Sequence, residues 1–137
     1  MIVVDANIVA YFWLPSPYTE QVSELAKHEG VWITPELCRS EFRNILAAYI
    51  RRKIISGEEA ALICNQMEIS LTDSFRPVRS GDVLELLLSS ACSSYDCEYV
   101  ALAKTFSLPL VTYDKLLLRE FPGIAVNPHD YIKRTSS

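Results

Sequence analysis

Asp5 closes the apolar run Ile2-Val3-Val4, and Asp114 follows a second such run, Leu110-Val111-Thr112, near the far end of the chain. An acid at the end of a buried strand is poorly placed for core packing. In open α/β sheets it stands where ligands bind, in the crevice outside the carboxyl ends of the strands. Asp5 also reads as the N-cap of a following helix, and Asp114 as the cap of another, because a carboxylate there accepts an early backbone N–H. Asn7, two residues beyond Asp5, is a poor helix former, placed either to position a water or hold Asp5 or simply to make the turn.

Two further acids extend the set. Leu37, Ile45 and Ala48 fall within roughly 40° of Glu41 around a helix at 100° per residue, which puts Glu41 inside the apolar arc. A buried carboxylate without a partner costs several kcal/mol or takes up a proton, so a metal, another cation or a buried Arg is expected beside it. Asp96 lies in Ser93-Ser94-Tyr95-Asp96, a capping-box spacing ahead of the apolar set Tyr99, Leu102, Ala103 and Phe106. A carboxylate at a helix start is also held by the helix dipole.

Together Asp5, Glu41, Asp96 and Asp114 read as a divalent metal site. Hard oxygen ligands without a nearby His or Cys favour Mg²⁺ or Mn²⁺ over zinc. The chemistry such a cluster suits is phosphodiester hydrolysis, in which the metal lowers the pKa of a bound water and stabilises the leaving oxygen. His28 and His129 are expected at the surface.

These residues need a scaffold of alternating elements. Short apolar, β-branched runs predict strands over 2–4, 31–33, 109–112 and 124–126, with Phe75 to Val78 a weaker one. Helical patterns fill 6–13, 17–29, 36–53, 57–69, 81–92, 96–106 and 114–120. The alternation predicts an α/β fold with a central, mostly parallel sheet covered on both faces. A chain of 137 residues fits a single domain, taken as 1–132, with 133–137 expected as a short C-terminal tail.

Composition narrows the class. The longest strongly apolar run, Ile8 to Leu14, is too short to cross a bilayer, and no Lys or Arg precedes Lys27 to form the basic start of a secretory signal. A cytoplasmic protein is expected. Cys38, Cys64, Cys92 and Cys97 form no C-x-x-C pair and read as reduced, mostly buried small residues. A net charge of −4 argues against nonspecific wrapping of nucleic acid, although clustered ligand carboxylates raise the acidic count.

The opening I-V-V-D-A-N, the segment from Pro35-Glu36 to Glu41 with its E-F-R-N continuation, S-S-Y-D-C-E-Y-V-A-L-A from Ser93 and L-V-T-Y-D from Leu110 to Asp114 resemble the PIN domain family. The similarity is greatest to toxin ribonucleases of the VapC type, and it spans nearly the whole chain. It implies a three-layer α/β/α sandwich, Mg²⁺ or Mn²⁺ held by Asp5, Glu41, Asp96 and Asp114, and cleavage of single-stranded or loop RNA to leave a 5′ phosphate. Asn7 and Thr112 would be supporting polar residues, with Ser93 supporting from the helix start. The resemblance also implies a homodimer, an antitoxin partner and no membrane association. Cys97-Glu98 departs from the small apolar residues usual after the third acid, so Glu98 is either an extra outer carboxylate or exposed. No additional Asp stands near the fourth acid, which leaves one or two metals open.

Away from the acids, Arg52 shares a helix face with Glu41 but lies roughly 16 Å along the axis, placing it for an upstream phosphate or for its own helix dipole. Tyr11, Phe12, Trp13 and Leu14 exceed what one helix face buries, and either meet a partner or pack under Pro15-Ser16-Pro17. A phosphoacceptor receiver domain needs an acceptor Asp about fifty residues after the first, and none occurs between Asp5 and Asp73. A haloacid-dehalogenase-type phosphatase needs D-x-D, and Asn7 occupies the second place. The remaining alternatives are a catalytically inactive scaffold of the same fold and a housekeeping nuclease without an antitoxin.

Overall fold

The computed structural model describes residues 1–136. Five parallel strands form one sheet: β1 (Ile2–Val4), β2 (Trp32–Pro35), β3 (Phe75–Arg76), β4 (Leu110–Val111) and β5 (Ala125–Val126), in the order β3-β2-β1-β4-β5. Eight helices surround it: α1 (Ala6–Trp13), α2 (Thr19–His28), α3 (Leu37–Arg51), α4 (Gly57–Ser70), α5 (Ser80–Leu88), α6 (Ser94–Phe106), α7 (Lys115–Glu120) and α8 (Pro128–Thr135).

The strands are apolar throughout because both faces of the sheet are covered, and their side chains alternate between two cores. Ile2, Val4, Trp32, Val111 and Val126 point to the layer of α1, α2, α3 and α4, where Ile8, Leu25, Phe42 and Met67 are fully buried. Val3, Ile33, Leu110 and Ala125 point the other way, onto α5, α6 and α7. The result is the expected α/β/α sandwich. Strand order reverses beside β1, whose neighbours are β2 on one side and β4 on the other. A crevice opens at such a switch point.

Several boundaries differ from expectation for local reasons. Helix α5 ends at Leu88 and not at residue 92, because Ser89 and Ser90 turn their hydroxyls onto the Leu86 carbonyl and compete with the helical ladder. Residues 133–135 belong to α8 and not to a tail. Asn127 caps that helix by accepting the Asp130 N–H, Pro128 pre-sets its first turn, and Tyr131 and Ile132 pack on the core. Ser137, the last residue of the expected tail, lies outside the described residues. Cys38, Cys64, Cys92 and Cys97 are all free thiols, and no helix among the described residues is long and apolar enough to cross a membrane.

Candidate active site

The turn from β1 into α1 is a single residue, Asp5. Its extended backbone (φ −89°, ψ 173°) breaks the helix, and its Oδ1 accepts the Ile8 N–H at 3.0 Å. On the neighbouring strand the chain leaves β4 through Thr112-Tyr113-Asp114, and Asp114 caps α7 with Oδ1 on the Leu117 N–H at 2.9 Å. Both expected caps are therefore real. The capping geometry is also what fixes the two carboxylates at the mouth of the crevice between β1 and β4.

Helix α3 supplies the third acid. Its buried stripe Cys38, Phe42 and Leu46 seats the helix on the sheet and leaves Ser40, Glu41, Asn44 and Ile45 along one wall of a cleft of about 390 Å³. Helix α6 supplies the fourth. Ser93 caps it by accepting the Asp96 N–H at 3.1 Å, and Tyr95, Asp96 and Tyr99 reach the same cleft. Asp5, Glu41, Asp96 and Asp114, separated by up to 109 positions in sequence, thus line one crevice. Asp5, Asp96 and Asp114 stand at the N-terminal ends of α1, α6 and α7, where the helix dipoles favour negative charge, whereas Glu41 projects from the second turn of α3.

The hydrogen bonding around the acids is specific. Thr112, fully buried, donates its hydroxyl to Asp5 Oδ2 and accepts the Asp114 N–H on the same oxygen at 2.9 Å, so one side chain ties the two strand-end acids together. Tyr99 donates its hydroxyl to Glu41 Oε1 at 2.6 Å. A phenol, and not a buried Arg, is the side chain that meets Glu41 within the protein. Asn7 is exposed and lines the cleft without bonding Asp5.

Electrostatically the site is under strain. Burial raises the Asp5 carboxyl to about 6, against the hydrogen bonds from Thr112 and Ile8, and the charges of Asp114 and Glu41 push in the same direction as burial. Burial also raises Glu41, against the Tyr99 bond, and Asp96 adds to the rise. Asp96 is raised by burial and by Asp114. Among the described residues no Lys, Arg or His pairs with any of these four acids. Four carboxylates gathered in one cleft, with no side-chain cation among them, form a donor set suited to a hard divalent ion. Among the described residues, however, no three His, Cys, Asp or Glu side chains stand close enough to enclose one ion. Glu41 and Asp114 each give one oxygen to a protein donor. Every buried side-chain polar atom among the described residues has a partner, so the oxygens left over are open to solvent.

The remaining expectations divide. Arg52 follows the C-terminal end of α3, exposed and outside the cleft. Glu98 lies on another face of α6, beside Val78, Ser80 and Val83, yet the charge of Glu41 still contributes to its raised carboxyl after burial. The aromatic run that ends α1 is partly absorbed by packing: Tyr11 and Tyr113 stack with Tyr18 at 4.8 and 4.6 Å between centroids and Leu14 is buried, while Phe12 stays exposed with one edge on Trp13 and Trp32. Tyr99, Tyr95, Ser40 and Asn44 join the site beyond the residues expected from sequence. For Tyr99 a signal existed, since it stands one helical turn after Asp96 and shares its face.

A family model described as the PIN domain matches residues 2–122. Ribonuclease VapC3 of Pyrobaculum aerophilum is 28% identical over 130 residues, covering 90% of this chain and 96% of the relative. Among solved structures, PAE2754 from Pyrobaculum aerophilum superposes with a TM-score of 0.75 at 21% identity, over 97% of this chain and 94% of the other. A chain of a toxin–antitoxin complex from Klebsiella pneumoniae superposes with a TM-score of 0.61 at 15% identity, over 93% and 98%. With the family match running from β1 past α7 and so taking in all four acids, the chain belongs to the PIN domain family.

Proposed function

We propose that the protein is a metal-dependent endoribonuclease, hydrolysing RNA phosphodiester bonds at the crevice between β1 and β4. The observation that carries this is the set of four acids, three with carboxyls raised by burial, gathered without a counter-cation at the sheet's switch point. The relative named a ribonuclease supports RNA as the substrate.

Asp5, Glu41, Asp96 and Asp114 would hold Mg²⁺ or Mn²⁺. The ion would supply an activated water and charge stabilisation at the scissile phosphate. Thr112 keeps Asp5 turned into the crevice through the hydroxyl bond to Oδ2, and Ser93 fixes the start of α6 beneath Asp96. Tyr99 donates to the ionised form of Glu41, which favours the charged carboxylate. Asn7, at the rim of the cleft, would bond substrate or water, and Arg52, exposed outside the cleft, would meet a phosphate upstream. We further propose that the protein is the toxin of a type II toxin–antitoxin pair, acting in the cytoplasm as a homodimer silenced by its antitoxin. The Klebsiella pneumoniae complex supports that assignment.

The test is a thermal melt of the parent and of Asp5→Asn with and without Mn²⁺, followed by incubation with single-stranded RNA. An ion at one hundred times its dissociation constant adds about 2.7 kcal/mol, several degrees in melting temperature. The expected result is a rise in the parent that Asp5→Asn loses, with RNA cleaved in Mn²⁺ and spared in chelator. No rise and no cleavage would overturn the proposal. The open placement of the carboxylate oxygens favours one second reading, a PIN-like scaffold that recruits a partner without chemistry. That outcome would then apply.

A further inference from the structure

The acidic cleft carries one side chain that neither the fold nor the four acids account for. Tyr95, second in helix α6 and adjacent to Asp96, lines the cleft and is 59% exposed. The other tyrosines are all engaged. Tyr11, Tyr18 and Tyr113 stack on one another, Tyr49 donates to the Pro15 carbonyl, Tyr99 to Glu41 and Tyr131 to Glu29. Among the described residues Tyr95 has neither a ring partner nor a hydrogen-bond partner, and an aromatic ring left in water at a helix start stabilises nothing there.

The cleft around it has a particular chemistry. Its lining includes the acids, the neutral polar side chains Asn7, Ser40 and Asn44, and the apolar Leu37 and Ile45, with no Lys or Arg. In a chain of net charge −4, ion pairs to phosphate cannot be the main source of substrate affinity at such a wall. An unpaired base offers contacts that need no cation: a π-face for an aromatic ring, and an edge for neutral donors and acceptors.

We propose that Tyr95 stacks on the base of a nucleotide next to the scissile phosphate, with Ser40 and Asn44 on α3 hydrogen-bonding the edge of that base, so that this pocket sets the nucleotide preference. The inference rests on the nuclease reading above. The pocket selects an unpaired nucleotide, because a base held in a duplex exposes no free face to the ring.

The test uses the full chain in Mn²⁺ with a fluorescent single-stranded RNA whose cut site has been mapped, and analogues of it made abasic at one position at a time. Parent, Tyr95→Ala and Tyr95→Phe are compared for kcat and KM. Stacking on one base is worth on the order of tenfold or more in affinity. Tyr95→Ala should raise KM by roughly that factor with its melting temperature and Mn²⁺ response unchanged, and Tyr95→Phe, which keeps the ring, should recover most of the loss. One abasic position flanking the cut should cost the parent a similar factor and cost Tyr95→Ala almost nothing more, since both remove the same contact. Parent-like kinetics for Tyr95→Ala, or losses that multiply at every abasic position, would overturn the base pocket while leaving the nuclease in place. A parent that binds Mn²⁺ but cleaves no RNA would overturn the nuclease reading, and the pocket with it.

Discussion

The Tyr99 hydroxyl donates to Glu41 Oε1 at 2.6 Å, joining helix α6 to helix α3 across the acidic cleft. Tyr99 is 2% exposed and its ring belongs to the core beneath α6, so the phenol is held by packing before it holds the carboxylate. One oxygen of Glu41 is thereby fixed while the other stays open.

Tyr99→Phe removes a bond to a charged group and leaves the ring in place. The bond counters the burial that raises Glu41, so its loss pushes that carboxyl further up. A metal ligand must be deprotonated, and loss of a partner that orients it costs roughly 10- to 100-fold in affinity. Calorimetric titration with Mn²⁺ should show that weakening near neutral pH, with recovery as pH rises. Unchanged affinity at every pH would show that Glu41 does not touch the ion.

Thr112 is the corresponding device on the sheet. Its hydroxyl serves Asp5 as a donor and the Asp114 backbone as an acceptor, and it is fully buried. Thr112→Val keeps the shape but leaves the buried Asp5 Oδ2 without its donor and the half-buried Asp114 N–H without its acceptor, at a cost of about 1–3 kcal/mol. Thr112→Ser keeps the hydroxyl and should lose much less. Chemical denaturation of the two variants checks the order, and equal stability would mean that the bonds to Asp5 and Asp114 contribute little.

How far the sequence shows this site depends on what each residue does locally. Asp5 and Asp114 are legible because an acid ending an apolar strand has a positional meaning, and both prove to be helix caps as well. Glu41 is legible because it breaks an apolar arc. Tyr99 is only half legible: its spacing from Asp96 puts it on the same helix face, but a tyrosine at core spacing reads as core, as its body is, and the hydroxyl's task shows only where α6 meets α3. Ser40, Asn44 and Tyr95 look like ordinary solvated residues until the opposite wall of the cleft is in place. Strand β3 spans two residues, too few for periodicity to define. Helix α8 escapes periodicity because its sequence is mostly polar, although Asn127-Pro128 is a helix-start signal.

The pH dependence of the metal-free protein follows from Asp5. Its carboxyl is 3.8 ordinarily and about 6 in the fold, so between these values the native state holds a proton that the unfolded chain has released. Stability is then fully present below pH 4 and falls as pH rises through 6, by about 3 kcal/mol for this group. Glu41 and Asp96, also raised, act in the same direction. Melts in chelator from pH 4.5 to 7.5 should show this decline, and Asp5→Asn should flatten it. A parent whose stability rises with pH over that window would contradict the repulsive cluster.

The same repulsion predicts that removing a charge stabilises the empty site. Asp114 acts on both Asp5 and Asp96, and its Oδ1 caps α7. Asp114→Asn preserves the cap, since asparagine accepts the same N–H about as well as aspartate, and removes the charge. The expected gain in chelator at pH 7.5 is on the order of 1 kcal/mol, about 3–5 °C in melting temperature for a domain of this size. In Mn²⁺ the ranking should invert: the parent gains the stabilisation of a bound ion, and the variant, lacking one ligand, gains little. A variant less stable than the parent in chelator would mean that Asp114 serves α7 and its own strand end more than it opposes its neighbours. A variant that still responds to Mn²⁺ as the parent does would remove Asp114 from the ligand set.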